Sequence, residues 1–238
     1  MKKLIGNLGS SAAVWAVFIL AAALLITGTI GGARAAGLTG LKNSYDAGLE
    51  VTDSVQMTII ENGSDVAEGE DTMLVKLAGE EEEPNIGQTY PEELRVRNSG
   101  GIDAYMRVIV YCYWTDADGN KRTDLDPSLI ELELLDGGEW KIDTASSTRE
   151  RTIIYHKGIL TTGQVTAPFA ATLKLSPDTN RHVTQTKDPA TGYITTVYEY
   201  DGARFCIEIV VDAVQTHNAA AAIKSSWGVD AGALGILG

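Results

Sequence analysis

The stretch 205–229 near the carboxyl terminus constrains the fold more than any other part of the sequence. Apolar residues recur there at every second position, which is the period of a strand with one apolar face. The period then changes to that of a helix, which Thr216 or Asn218 can cap and Gly228 can end. The strand row is Phe205, Ile207, Ile209 and Val211, and the helical stripe is Ala219, Ala222, Ile223 and Trp227. This pattern predicts a closing strand followed by a short helix, with Trp227 packed on the sheet.

Short β-forming runs separated by turn residues also fill most of the chain before this stretch. The 238 residues include 25 glycines and are 44% hydrophobic, which suffices for one sizeable core. Strands are predicted at 55–61, 73–77, 90–98, 102–115, 129–135, 140–142, 151–156, 167–175, 193–200 and 205–212, and a polar loop at 180–188. The strand 102–115 is the strongest, so we expect it to be central and covered on both faces. Leu94 and Val96 are expected to point inward, with Arg95 and Arg97 outward.

The regular spacing of these strands predicts an all-β fold. The expected architecture is a jelly-roll or immunoglobulin-like β-sandwich of about nine or ten strands, with one short C-terminal helix and an N-terminal hydrophobic signal helix. The predicted organisation is a signal or anchor at 1–35, a leader at 36–53, a sandwich domain at 54–229 and a tail at 230–238.

The N-terminal segment predicts export. Lys2 and Lys3 precede a charge-free apolar stretch, 12–30, and small residues follow it. The small residues at Ala33 and Ala35 fit a signal-peptidase site, with Ala36 as the first mature residue. An uncleaved membrane anchor is the alternative, because the apolar stretch is near the minimum length of a transmembrane helix. Either interpretation places the remainder outside the cytoplasm, extracellular or at the cell surface, and limits membrane contact to 12–30.

Charge excludes one class of partner. The formal net charge is −13, and it falls to −16 without residues 1–35, which contain three basic and no acidic residues. A protein this acidic repels nucleic acid, so none is predicted as a partner.

Catalytic and metal-binding motifs are not recognisable in the sequence. The histidines His156, His182 and His217 are far apart in sequence, and neither HExxH nor GxSxG occurs. Four adjacent glutamates at 80–83 are typical of a solvated loop. The run 116–120 lacks the glycine and glutamate spacing of an EF-hand and is interpreted as a hairpin turn. We therefore predict no enzyme activity, no cofactor, and no catalytic or metal-binding residue; His156 and His217 are expected to be structural, His156 at the surface or rim.

The two cysteines, Cys112 and Cys206, leave the redox state open. They could form a disulfide in an oxidising compartment. Strand parity argues against it, because Cys112 shares a face with Val110 and Trp114, whereas Cys206 shares one with Glu208.

Several segments resemble the TasA/camelysin family of secreted bacterial matrix proteins, which carry an ER-type, SipW-dependent signal peptide. The matching residues are Gly31, Gly32, Ala33 and Ala35 at the end of the signal, 98–100, 102–108, Tyr113 and Trp114, 125–127, 150–152 and the block 212–230. The likeness extends in order over most of the chain.

This resemblance implies a jelly-roll sandwich, processing by a dedicated signal peptidase, and a place in the extracellular matrix of a Gram-positive-type bacterium. It also implies fibre assembly by strand donation to a neighbouring subunit, either of this chain or of a related matrix protein. The leader 36–53 is then the candidate donor, and its apolar positions are Leu38, Leu41, Tyr45, Leu49 and Val51.

Three functional hypotheses follow. The first is an exported, non-enzymatic structural protein of the cell surface or biofilm matrix. The second is a membrane-anchored extracellular binding module, held by an uncleaved 12–30 helix. The third is a secreted metallopeptidase, the activity with which camelysin relatives have been associated.

Overall fold

Two five-stranded antiparallel sheets enclose the main hydrophobic core. A computed structural model describes residues 55–66 and 84–237 of the chain. The strands are β1 Met57–Glu61, β2 Ser64–Asp65, β3 Thr89–Asn98, β4 Ala104–Thr115, β5 Lys121–Arg122, β6 Ile130–Leu134, β7 Trp140–Ile142, β8 Arg151–His156, β9 Ala170–Leu175, β10 Val183–Lys187, β11 Ile194–Tyr198 and β12 Arg204–Gln215. In the first sheet the strand order is β2-β1-β3-β9-β6, and in the second it is β12-β4-β8-β7, with β5 paired to the end of β4. A separate two-stranded ribbon is formed by β10 and β11.

Two helices follow β12: α1, Ala219–Trp227, and α2, Ala231–Leu234. Helix α1 ends at Gly228, whose φ of 74° places it in the left-handed region, and its N–H donates to the Lys224 carbonyl. Asn218 stands at the start of α1 but makes no side-chain capping bond. The predicted tail contains α2, and Ile236 beyond it is buried, with its carbonyl accepting from Gly158 N–H at 2.9 Å.

The main core lies between the facing sides of the two sheets, as alternation in the strands predicts. Leu94 and Val96 of β3 point inward and are fully buried, which confirms the prediction for that strand. Strand β4 lies between β12 and β8, and both of its faces are covered, as predicted. The buried residues of this core are Met57, Leu94, Val96, Ala104, Met106, Val108, Val110, Trp140, Ile154, Leu160, Phe169, Ala170, Val211 and Ala213.

The C-terminal helices cover the outer face of the second sheet. Ile223 and Trp227 of α1 pack there with Tyr155 of β8, and the Trp227 and Tyr155 ring centroids are 5.8 Å apart. This confirms the predicted position of Trp227 on the sheet.

The all-β sandwich is confirmed, and the strand count is corrected. The described residues contain twelve strands rather than nine or ten. Two of the unpredicted strands, β2 and β5, have two residues each, and the third is β10, which lies inside the stretch 180–188 predicted as a loop. The predicted strand at 73–77, the leader and the N-terminal signal helix lie outside the described residues.

Candidate assembly surface

The site residues predicted from the sequence all lie outside the described part of the chain. They are the cleavage positions Ala33, Ala35 and Ala36 and the candidate assembly positions Leu38, Leu41, Tyr45, Leu49 and Val51. The structure instead describes the surface on which an added strand could pair.

Strand β12 stands at the edge of the second sheet, and backbone hydrogen bonds identify its open side. The backbones of Ala104 and Leu160 exchange two hydrogen bonds, and Cys112 N–H donates to the Glu150 carbonyl at 2.9 Å. The even-numbered residues of β4 therefore bond toward the β8 side. Because alternate residues of an antiparallel strand bond to opposite neighbours, the odd-numbered residues of β4 bond to β12.

The register then assigns the backbone groups of β12. Arg107 pairs with Asp212, so the even-numbered residues of β12 bond to β4 and the odd-numbered ones direct their N–H and C=O groups to the other side. No described strand pairs with that side. The backbone groups on this side belong to the odd-numbered residues of β12, whose side chains point into the core. Three of these residues, Phe205, Ile207 and Ile209, are partly exposed. An added strand could form backbone bonds there and extend the sandwich core.

The outer face of β12 is fixed by an ion pair that the sequence did not predict. Arg107 Nε and Nη2 donate to Asp212 Oδ2 at 2.9 and 2.8 Å, and both side chains are mostly buried. The Arg107 guanidinium lies 5.2 Å from the Trp227 ring centroid, in cation–π geometry. Burial raises the pKa of the nearby Tyr155 hydroxyl, an effect that Arg107 opposes. The ion pair therefore connects β4, β12 and α1 beneath the helix.

The β10–β11 ribbon is a second surface with open edges. All residues of its two five-residue strands are exposed, and no described strand pairs with either outer edge. Four large apolar side chains are more than half exposed: Tyr193, Ile194, Val197 and Tyr198.

The base of this ribbon is attached to the sandwich through Tyr200. The Tyr200 hydroxyl accepts from Asp126 N–H at 2.9 Å, and its ring packs edge-on against Trp114 of the core, with centroids 5.0 Å apart. His182, before β10, packs edge-on against the Tyr200 ring, with centroids 5.5 Å apart. These contacts hold both ends of the ribbon at one end of the sandwich.

A buried carboxyl pair lies inside the first sheet. Glu92 of β3 is fully buried and Glu61 of β1 nearly so. Burial, and then the proximity of Glu61, raise the pKa of Glu92 to about 8. Asn62 Nδ2 donates to Glu92 Oε2 at 3.4 Å, whereas Glu92 Oε1 has no hydrogen-bond partner among the described residues. Burial in the folded protein therefore favours the neutral form of the Glu92 carboxyl.

His156 occupies a buried position instead of the surface or rim position expected from its place at a strand end. Its ring packs edge-on against Trp140 at 5.2 Å, and Nδ1 lies 3.3 Å from the Gly158 carbonyl. Nε2 lies 3.6 Å from a Glu139 carboxylate oxygen. The aromatic core covers the histidine because β7, which carries Trp140, pairs directly with β8. His217, by contrast, is exposed at the corner before α1.

Residues 116–120 form the predicted hairpin turn. The Asp116 carboxylate accepts from Asp118 N–H and from both the backbone and the side-chain nitrogens of Asn120. These bonds lower the pKa of Asp116, with the Asn120 side chain contributing most. Over residues 55–66 and 84–237 there is no group of three or more His, Cys, Asp or Glu side chains that could hold a metal ion.

Both cysteines are free thiols on opposite faces of the second sheet. Cys112 packs against the core, whereas Cys206 pairs across the sheet with Tyr113 and lies 3.7 Å from Thr115 Oγ1 on the outer face. The parity argument is thus confirmed. None of the helices in the described ranges is both long and apolar enough to cross a bilayer.

Comparison of the chain with protein-family models, with curated proteins and with solved structures finds no match.

Proposed function

We propose that this chain is an exported, non-enzymatic structural protein of the cell surface or biofilm matrix, which assembles when one subunit adds a strand to the next. The observation that carries the proposal is the open side of β12. The backbone groups of the partly exposed residues Phe205, Ile207 and Ile209 face that side, and no described strand pairs with it. A long unpaired edge is a template for strand addition.

The donor in this proposal is the leader 36–53 of a neighbouring subunit. Its apolar residues include Leu49 and Val51, two positions apart, which would share one face of a strand. That face would lie over the core next to Ile207 and Ile209, where the apolar clusters of the sandwich reach the edge. The predicted export signal and the resemblance to TasA/camelysin proteins support the same proposal, and the −16 charge of residues 36–238 favours solubility before assembly.

The test compares assembly of the exported protein with that of three variants, by light scattering and electron microscopy. The first lacks residues 36–53. The second, Ile207→Pro, removes an N–H that the ladder to β4 does not use, and the third, Ile207→Ala, removes the same side chain but keeps the N–H. We expect fibres from the natural protein and from Ile207→Ala, and no fibres from the other two.

A natural protein that stays monomeric at high concentration would contradict the proposal. So would equal assembly of all four proteins, because neither the leader nor the β12 edge would then be needed. The mass of the exported chain gives a separate check, since a start at Ala36 is required for a free donor.

A further inference from the structure

We propose that the β10–β11 ribbon is a second, homotypic contact, in which β11 pairs antiparallel with β11 of another copy of this chain. This contact uses neither the leader nor β12, so it does not depend on the strand-donation proposal.

Backbone geometry determines which edge of β11 is available. Asp188 N–H donates to the Tyr193 carbonyl at 2.9 Å, and Glu199 N–H donates to the His182 carbonyl at 3.0 Å. The odd-numbered residues of β11 therefore bond to β10. Ile194, Thr196 and Tyr198 direct their N–H and C=O groups away from β10, where no described strand meets them.

That geometry also selects a register. Only the even-numbered residues of β11 present backbone groups at the open edge, so they must pair with even-numbered residues of the second copy. Centring the pair on Thr196 uses all three of these residues. Thr196 then faces Thr196, and each Ile194 faces a Tyr198, in hydrogen-bonded pairs. An antiparallel pair of identical strands has two-fold symmetry, so the contact closes as a dimer without exposing a new edge of β11.

Side chains favour the same arrangement. Each Ile194–Tyr198 pair joins a β-branched to an aromatic residue on one face, and such cross-strand pairs stabilise a sheet. The exposed fractions of these two side chains are 62% and 54% in the single subunit. An isolated two-stranded ribbon is marginally stable in water, whereas the dimer would contain a continuous four-stranded sheet.

Charge makes a second copy a suitable occupant. Two chains of net charge −13 repel each other over most of their surfaces. Between Val183 and Tyr198 the only charged residues are Lys187 and Asp188, so the ribbon is neutral and does not add to this repulsion. The β11 edge itself carries no charge, whereas Lys187 lies on the outer edge of β10, where a charged residue discourages pairing.

Cysteine cross-linking of the full chain, in the form that the cell exports, tests the register. In the proposed dimer the two Thr196 Cα atoms would be about 5.5 Å apart, within the range of a disulfide. We therefore expect Thr196→Cys to cross-link under mild oxidation and Thr184→Cys, which is also an exposed position but lies on β10, not to do so. Both are made with Cys206→Ser. Cys112 stays, because burial raises the pKa of its thiol to about 11.

Thr196→Lys is a second test that needs no oxidation. It places two like charges opposite each other at the axis, and we expect it to raise the dissociation constant of the dimer about tenfold or more, measured by sedimentation. Thr184→Lys adds the same charge away from the axis and should have a much smaller effect. Circular dichroism of each variant verifies that the sandwich remains folded.

Deleting residues 36–53 tests whether the contact at the β11 edge needs the leader. Unchanged Thr196→Cys cross-linking in that variant supports a homotypic contact, even if fibres are lost. If the deletion abolishes cross-linking, the contact depends on the leader and the inference is wrong. Equal cross-linking at Thr184 and Thr196, or none at either, would also overturn it, since neither result is compatible with a two-fold axis at Thr196.

Discussion

Replacing Glu92 by glutamine should remove much of the pH dependence of folding stability. Glu92 is fully buried beside Glu61, and its pKa is raised from 4.5 to about 8, mainly by burial and then by Glu61. In the unfolded chain this carboxyl ionises near its ordinary pKa. The folded state therefore holds a proton that the unfolded state loses between these two values. The stabilisation is fully present below about pH 4.5, and it is lost as the pH rises through about 8.

The size of the effect follows from the two pKa values. Each pKa unit corresponds to about 1.4 kcal/mol. From pH 5 to just below pH 8 most folded molecules keep the Glu92 proton, while most unfolded chains have lost theirs. The free energy of unfolding should accordingly fall by about 3 kcal/mol over this interval. Glutamine is isosteric with the protonated carboxyl and does not titrate, so Glu92→Gln should lack this decrease.

Urea unfolding at pH 5 and pH 8, at low protein concentration, measures the difference. Glu93→Gln is the matched control, because the neighbouring Glu93 is about half-exposed and its pKa is lowered by Arg95 rather than raised. In Glu93→Gln the free energy of unfolding should still fall between pH 5 and pH 8, as in the natural protein. If Glu92→Gln and the natural protein lose equal stability between the two pH values, the buried carboxyl does not hold the proton and the reasoning is refuted.

Two further predictions concern the second sheet. Arg107→Met should lower the free energy of unfolding by about 3 kcal/mol, because it leaves the mostly buried Asp212 without its partner. Arg122→Met, which breaks a more exposed pair with Asp124, should have a much smaller effect in the same urea titration, and equal losses would contradict the prediction. The exported protein should also contain two free thiols, because Cys112 and Cys206 lie on opposite faces of the sheet. Peptide mapping under non-reducing conditions tests this, and a linked peptide would disprove it.

Periodicity predicted most strands correctly because they bury one face. Leu94 and Val96 were assigned inward on that basis, and both are fully buried. The same parity places Glu92 inward, but a single glutamate in a strand is normally taken to be solvated. Glu92 is buried beside Glu61 of the adjacent strand β1, which helps to raise its pKa, and a sequence pattern does not reveal such a contact. The alternation of Tyr90, Glu92 and Leu94 is the sequence signal that indicates the inward position of Glu92.

Strand β10 was missed for the opposite reason. Every residue from Val183 to Lys187 is exposed, so no buried face imposes an apolar period on the sequence. The strand is defined by its pairing with β11, where Val183 lies opposite Tyr198. A run of β-branched residues at Val183, Thr184 and Thr186 was the only local signal, and it is weak without burial.

Edge position cannot be read from periodicity either, and this limits what the sequence alone says about assembly. The alternation in 205–211 predicts which side chains face the core, yet it is the same whether β12 has one neighbour or two. In the topology β12 pairs with β4 alone among the described strands, and backbone parity then directs the N–H and C=O groups of Phe205, Ile207 and Ile209 to the open side.

The edges of β12 and β11 differ in the kind of strand that would pair with them. At β12 the side chains line a core, so an added strand would be stabilised mainly by burying one row of its apolar side chains against that core. At β11 both faces are in water, and pairing depends on backbone bonds and on cross-strand contacts that two identical strands supply to each other.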